Sequence, residues 1–256
     1  MSLLPRTPNP ALIARCLRDG TVCDEPLEIL DIDEAEAFQG AVVEIVGYTP
    51  CGYKIGATNT ASQKFLGASV PMFGPVFTER LVDSGAEYKL PAGVLGLECE
   101  FGFRLGRDYP AAGESLALSS LKSAVSECFP AIEVAGRRVQ PSVPITHSSV
   151  IADLCFAAAV VRGAPVPEWG DLDLCSLPVT AAVDGALAAS GDGSCVLGNP
   201  LAALLWLAGA LVARGRTLQK HEVVITGSCT GITPIAPGQH VEACFGHLPP
   251  VRLHAT

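Results

Sequence analysis

Between Leu97 and Leu105 the chain reads Leu-Glu-Cys-Glu-Phe-Gly-Phe-Arg-Leu. Apolar and polar or small residues alternate there with the period of two that belongs to a β-strand with one buried face. The alternation sends Glu98 and Glu100 to the same side, roughly 7 Å apart along the strand. Like charges held side by side are costly unless a proton or a cation neutralises them, and a hard divalent metal would do so. A solvated strand face with ordinary surface acids is the competing reading, because exposure is the usual state of glutamate. The pair therefore fixes a strand here and leaves the metal to be decided by the rest of the chain.

The 256 residues suit one β-rich domain or two fused small ones. Hydrophobic residues make up 49% of the chain and charged residues 17%, so the charged surface is smaller than usual and sister subunits are expected to cover part of it, in a homo-oligomer. A net charge of -9, with no Lys/Arg cluster, argues against nucleic acid and against a membrane surface as partner. The ten cysteines are scattered without close pairs, so reduced and mostly buried thiols are expected rather than a disulfide framework. The five histidines show no zinc-ligand spacing. Any metal is then bound by oxygen.

Around Arg6 a short polar, proline-containing lead has no apolar run behind it, so no secretory signal is expected and the cytoplasm is the expected compartment. The most apolar stretch, Leu201 to Ala213, is shorter than the 18 or more residues of a membrane span and reads as a buried helix.

Helix signals open at Asn9-Pro10, with an end near Gly20. They recur at Asp33 with Glu36 in a capping-box pattern, and at Asn199-Pro200 before a run closed by Gly215. The first two predict a helical N-terminal lobe over residues 1–50. A further helix is predicted from Ser115 to Cys128, with Leu118, Leu121, Val125 and Cys128 on one face. Strands are predicted through Ala131-Ile-Glu-Val-Ala and in the run that follows Leu218. Pro and Gly recur between these runs, as where short strands turn the corners of a closed or rolled sheet. Residues 51–256 form the mainly β half.

Five segments in order, Gly52-Tyr53-Lys54-Ile55-Gly56, Leu97-Glu98-Cys99-Glu100, Ala131-Ile132-Glu133-Val134, Gly193 to Pro200, and Ile225-Thr226-Gly227, resemble the 2-keto-4-pentenoate hydratase and 4-oxalocrotonate decarboxylase group of the fumarylacetoacetate hydrolase superfamily. The resemblance runs from about Ala11 to Leu253. It implies an α+β fold, a mixed β-roll core with helices around it and a small helical N-terminal lobe. It also implies Mg²⁺ or Mn²⁺ held by Glu98, Glu100 and Glu133. Three carboxylates leave an octahedral ion open positions for a 2-oxo acid, and the ion then stabilises the dienolate shared by hydration and decarboxylation.

Lys54 falls on the family's functional lysine and is the candidate for proton transfer, with burial expected to lower its pKa; a surface lysine snorkelling from a strand is the plainer alternative. Thr226 and Ser228 flank a glycine where hydroxyls could hold a substrate carboxylate, and Gly193 lies in a loop able to hold an anion; routine turns explain both equally well. Met72 stands where the family's hydratases carry the aspartate of Pro-Asp-Phe-Gly, here Pro71-Met72-Phe73-Gly74. It cannot accept a proton, which leans toward decarboxylation. Ala152-Asp153-Leu154 replaces an Ala-Asp-Asn expected near the end of the strand after the third glutamate. The resemblance as a whole favours a hydratase of aromatic meta-cleavage catabolism. The alternatives are a decarboxylase and a metal-binding partner subunit without turnover, because hydratase and decarboxylase associate in this family. Hydrolysis of a carbon–carbon bond is disfavoured, since His147 is the first histidine.

Overall fold

The computed structural model describes residues 9–27, 29 and 31–256; the lead around Arg6, and with it the start of the predicted lobe, lies outside the described residues. The elements in chain order are α1 (Pro10–Asp19), α2 (Ile32–Val46), β1 (Pro50–Gly56), α3 (Thr60–Leu66), β2 (Met72–Phe77), β3 (Leu81–Asp83), β4 (Ala86–Tyr88), β5 (Val94–Leu105), α4 (Leu118–Ala124), β6 (Val125–Gly136), α5 (His147–Ala152), β7 (Ala157–Arg162), β8 (Pro178–Val183), β9 (Ala186–Asp192), α6 (Pro200–Val212), β10 (Val223–Ser228), β11 (His240–Phe245) and β12 (Val251–Ala255).

A seven-stranded sheet runs β2-β1-β10-β5-β6-β7-β3, and a five-stranded sheet runs β4-β12-β11-β8-β9. The larger sheet is mixed: β1 with β10 and β3 with β7 are parallel, the other pairs antiparallel. It curls into a half-barrel, which is the rolled α+β architecture expected. The two sheets share one apolar core in which Phe101 of β5 meets Phe245 of β11 edge to face, ring centres 5.2 Å apart. Helix α6 buries Ala203, Leu204, Leu207, Ala208 and Leu211 in that core, as its apolar run predicts.

Local chemistry explains the helix ends. Asn9 Oδ1 accepts from the Ala11 N–H at 3.0 Å, Pro10 occupies the first turn, and Gly20 at φ 67° closes α1. Helix α2 starts two residues before the Asp33–Glu36 pattern, at Asp31, whose carboxylate accepts from the Glu34 N–H at 2.8 Å. The earlier start places Ala35, Phe38, Val42 and Val46 on one buried stripe.

Two other boundaries differ from the sequence expectation. Helix α4 ends at Ala124, and Val125 and Cys128 belong to β6, paired with Leu105 and Phe103 of β5. From Cys128 onward β6 is buried on both faces, so it carries no alternation to separate it from a helix. The run after Leu218 becomes a strand only at Val223.

The N-terminal helices do not pack apart from the sheet. Ile13, Leu17, Phe38 and Val42 share a cluster with Met72 and Phe77 of β2, Ile151 of α5 and Leu154, drawn from both sides of the expected boundary at residue 50. The segment Ala152-Asp153-Leu154 closes α5 rather than a strand. After it, Leu154, Cys155 and Phe156 have φ of 54°, 52° and 62°, three left-handed non-glycine residues in a row. Gly74 of β2 lets this turn approach: a Cβ there would lie 2.7 Å from the Leu154 main-chain oxygen.

Candidate active site

Strands β5 and β6 pair so that Glu98 stands directly opposite Glu133, while Glu100 follows two residues on along the same face as Glu98. The oxygen-bearing ends of the three side chains offer atoms that all lie within 4.8 Å of one another. Glu100 and Glu133 are fully buried and Glu98 is half-buried. Burial, and after it the charge of Glu133, pushes the Glu98 carboxyl up to about 7 and the Glu100 carboxyl well above the usual range.

Among the described residues, the short charge-assisted contacts to the cluster come from two directions. The Gly227 N–H donates to Glu100 Oε2 at 2.7 Å, and Lys54 Nζ lies 2.8 Å from Glu133 Oε1. Glu100 Oε1 and Glu133 Oε2 are buried without a partner, and Glu133 Oε1 has the Lys54 ion pair alone. Orphaned carboxylate oxygens converging at this spacing fit a hard divalent cation, which takes oxygen ligands. That fit removes the reading of Glu98 and Glu100 as a solvated surface pair.

Lys54 lies on β1, 4% exposed, and donates to the main-chain oxygen of Cys155 at 2.9 Å. The lysine therefore does not snorkel. Burial pulls its pKa down, but Glu133, Glu98 and Glu100 outweigh burial and the net displacement is upward. The expectation of a lowered pKa is corrected accordingly: tyrosine and isoleucine flank Lys54 in sequence, whereas carboxylates face it in space.

Glu98, Glu100 and Lys54 line a cleft of about 580 Å³ that is otherwise mainly apolar. Met72 lines it, and a Cβ placed on its strand partner Gly56 would lie 3.0 Å from Met72 Cε and 3.9 Å from Lys54 Nζ. The thioether thus reaches the neighbourhood of the ammonium. Ser228 also lines the cleft, its buried Oγ without a hydrogen bond of acceptable geometry. Thr226 and Gly193 are not among the lining residues. The Thr226 hydroxyl donates to the Phe101 oxygen at 3.0 Å, and Gly193 packs under Leu174, where a Cβ would lie 1.9 Å from the carbonyl.

Several contributors escaped the sequence reading. Gly227, at φ 107°, presents its N–H to Glu100, and a Cβ there would lie 2.2 Å from Thr58 Oγ1; the glycine between Thr226 and Ser228 was the available signal. The Cys155 carbonyl and the buried pair behind it, Arg138 Nε to Asp153 Oδ1 at 2.5 Å, left no signal in spacing. Arg138 also donates to the Ala157 oxygen at 2.7 Å, so the pair ties both ends of the left-handed turn. All ten cysteines are free thiols; five are buried and Cys195 alone is exposed.

Residues 54–254 match the model of the fumarylacetoacetate (FAA) hydrolase C-terminal family. The TodF product hydratase of Pseudomonas putida is 32% identical over 212 residues, covering 81% of this chain and 78% of that protein. The 2-keto-4-pentenoate hydratase of Burkholderia vietnamiensis is 35% identical over 178 residues, 69% of this chain and 67% of that protein. Among solved structures, 4-oxalocrotonate decarboxylase from Pseudomonas putida G7, complexed with magnesium and adipate, superposes with a TM-score of 0.85 at 21% identity, covering 96% of this chain and 97% of that one.

Proposed function

The chain belongs to the fumarylacetoacetate hydrolase family, and from that footing we propose that it is a divalent-metal-dependent lyase acting on a 2-oxo acid or its 2-hydroxy-dienoic form, in the manner of 2-keto-4-pentenoate hydratase. One observation carries the reading: three carboxylates, two of them with buried oxygens that lack a hydrogen bond, meet beside a buried lysine in the wall of a mainly apolar cleft. Glu98, Glu100 and Glu133 would hold Mg²⁺ or Mn²⁺, the magnesium complex of the decarboxylase being consistent with that choice. When bound, the cation supplies positive charge to the carboxylate and enolate oxygens of the substrate.

The remaining chemistry falls to side chains. Lys54 holds a proton at Nζ, oriented by the Cys155 oxygen and Glu133, and would pass it to the far carbon of the dienol, the proton that the 2-hydroxyl loses as the ketone forms returning to Nζ. Ser228 Oγ, which lies beside Glu98 in the cleft lining, would turn to donate to the substrate carboxylate. The apolar walls exclude bulk water and strengthen both interactions.

Met72 favours a second reading, decarboxylation, because water addition needs a base and a thioether is none. A metal-binding partner subunit without turnover is the third. Incubating the Mg²⁺- or Mn²⁺-loaded protein with 2-hydroxypenta-2,4-dienoate and with 2-oxohex-3-enedioate separates them. Loss of dienol absorbance with formation of a hydroxy-oxo acid supports hydration, and carbon dioxide from the second acid supports decarboxylation. Turnover of neither, nor of 2-hydroxy-dienoates that carry longer alkyl or aryl tails, with metal bound, overturns the enzymatic reading in favour of the partner subunit.

A further inference from the structure

Apart from the carboxylates, Lys54 and a few hydroxyl and amide groups, the cleft is lined by apolar side chains: Phe65 and Leu66 of α3, Ile145, Phe156 and Ile232, with Met72 of β2 close to Lys54. Lys54 is the only Lys, Arg or His among the described residues that line the cleft, and it is engaged by Glu133 and the Cys155 oxygen. Of the polar side chains near α3, Asn59 accepts from the Ser62 N–H at 2.8 Å and Ser62 Oγ donates back to the Asn59 oxygen at 3.0 Å, so each serves the helix start. Arg137, whose guanidinium carbon is 6.0 Å from the Phe156 ring centre, does not line the cleft and donates to the Val143 oxygen at 2.8 Å, so a negative charge among these apolar side chains meets no lining cation.

Phe65 and Ile232 are 75% and 50% exposed, both on the rim of the cleft. Helix α3 buries none of its side chains, so Phe65 is not held there by the core. Large apolar groups left in water beside an apolar cavity are positioned to cover apolar atoms that enter it. The volume points the same way: clefts of several hundred Å³ enclose ligands of drug size, and a five-carbon acid would leave much of about 580 Å³ unfilled.

We propose that this cleft selects 2-oxo monocarboxylates whose far end is an uncharged alkyl or aryl chain longer than that of a five-carbon acid, with Phe65 and Ile232 as the residues that recognise the chain, and that it rejects dicarboxylates. The inference rests on the proposed function for the head of the molecule and adds the identity of the tail. It also disfavours decarboxylation of 2-oxohex-3-enedioate, whose departing carboxylate would face these walls.

Calorimetric binding of saturated, unreactive 2-oxo acids to the Mn²⁺-loaded protein tests it without turnover. From 2-oxobutanoate to 2-oxooctanoate, affinity rises by about threefold to fourfold per methylene, the equivalent of roughly 0.8 kcal/mol for each buried CH₂. 2-Oxohexanoate binds at least tenfold more tightly than 2-oxoadipate, which has the same number of carbons. Phe65→Ala flattens the chain-length series while leaving 2-oxobutanoate within about twofold, and Ile232→Arg shifts the preference toward 2-oxoadipate. Both positions are exposed, so neither change threatens the fold.

Metal-dependent binding with no rise along the series, or with 2-oxoadipate the tighter ligand, overturns the inference and leaves the proposed function standing. Failure of every 2-oxo acid to bind in a metal-dependent way overturns both.

Discussion

Lys54 on β1 donates to the main-chain oxygen of Cys155 across 2.9 Å, and Cys155 is the middle residue of a left-handed turn. Left-handed backbone costs a non-glycine residue about 1–2 kcal/mol, so three such residues persist only where their surroundings impose them. Here Gly74 clears the space, Leu154 plugs the apolar cluster under α2, and Arg138 with Asp153 clamps both ends of the turn. The strain has a product: a carbonyl aimed at an ammonium, which fixes the lysine beside Glu133. Strained backbone of this kind concentrates at functional sites.

Removing the ammonium exposes that dependence. Lys54→Met leaves the metal-free protein with Glu133 buried and uncompensated, and breaking a buried pair by taking one partner costs about 3–5 kcal/mol. Urea unfolding without metal should show a loss of that order, partly restored by Mg²⁺ or Mn²⁺, while turnover falls by about 10²- to 10⁴-fold. Unchanged stability in the absence of metal would mean that Lys54 does not neutralise Glu133.

The clamp behind the turn is tested separately. Asp153→Asn keeps the shape and removes the charge facing Arg138, again a single partner of a buried pair, with an expected loss of about 3–5 kcal/mol. The Mn²⁺ affinity of the folded variant should stay within a few-fold of the parent, because neither residue belongs to the carboxylate cluster. A large loss of metal affinity at unchanged stability would reverse the assignment.

The site was legible in sequence wherever its geometry is set by a repeating period. Strand parity alone places Glu98 and Glu100 together, and the Asn-Pro starts give α1 and α6 because capping is local chemistry. Glu133 came only through the family resemblance, since nothing in its own strand announces that it faces Glu98 across the sheet. The Lys54–Cys155 contact joins residues 101 apart through a turn that contains no glycine, so neither periodicity nor turn chemistry marks it. Lys54 also shows why a local guess at a pKa fails: its neighbours in sequence are apolar and its neighbours in space are carboxylates. The α4–β6 boundary was misplaced because a strand buried on both faces loses its alternation.

Glu100 carries the metal prediction. Glu100→Gln keeps the size of the side chain and removes one of three mutually repelling buried carboxylates, so the metal-free variant should melt at or above the parent. A divalent ion at 100 times its Kd should stabilise the parent by about 2.7 kcal/mol and the variant far less. Calorimetric titration should find one Mg²⁺ or Mn²⁺ per parent chain. Equal Mn²⁺ affinity in the two proteins removes Glu100 from the site.

Association is expected from the surface. Leu116 and Leu118 are 40% and 49% exposed, and Leu116 packs on Gly209 of α6 beside the exposed Val212. An apolar patch of this kind suits a sister subunit. Light scattering behind size exclusion should give a multiple of 26.5 kDa, and a monomer mass at micromolar concentration would count against self-association.

The choice of reaction turns on Met72. Its side chain lines the cleft near Lys54 Nζ, where a carboxylate could take a proton from water. Met72→Asp should raise hydration of a 2-hydroxy-dienoate, by up to the roughly 10²- to 10⁴-fold of a well-placed base and by less if the angle is poor. Decarboxylation should move the other way, because a negative charge beside the departing carboxylate opposes binding and the same charge holds Lys54 more firmly protonated. The comparison requires substrates that the parent demonstrably turns over, followed by dienol absorbance for one reaction and carbon dioxide for the other. If both rates are unaltered, Met72 does not face the reacting carbons, and the choice between the two lyase readings has to rest on the wall residues instead.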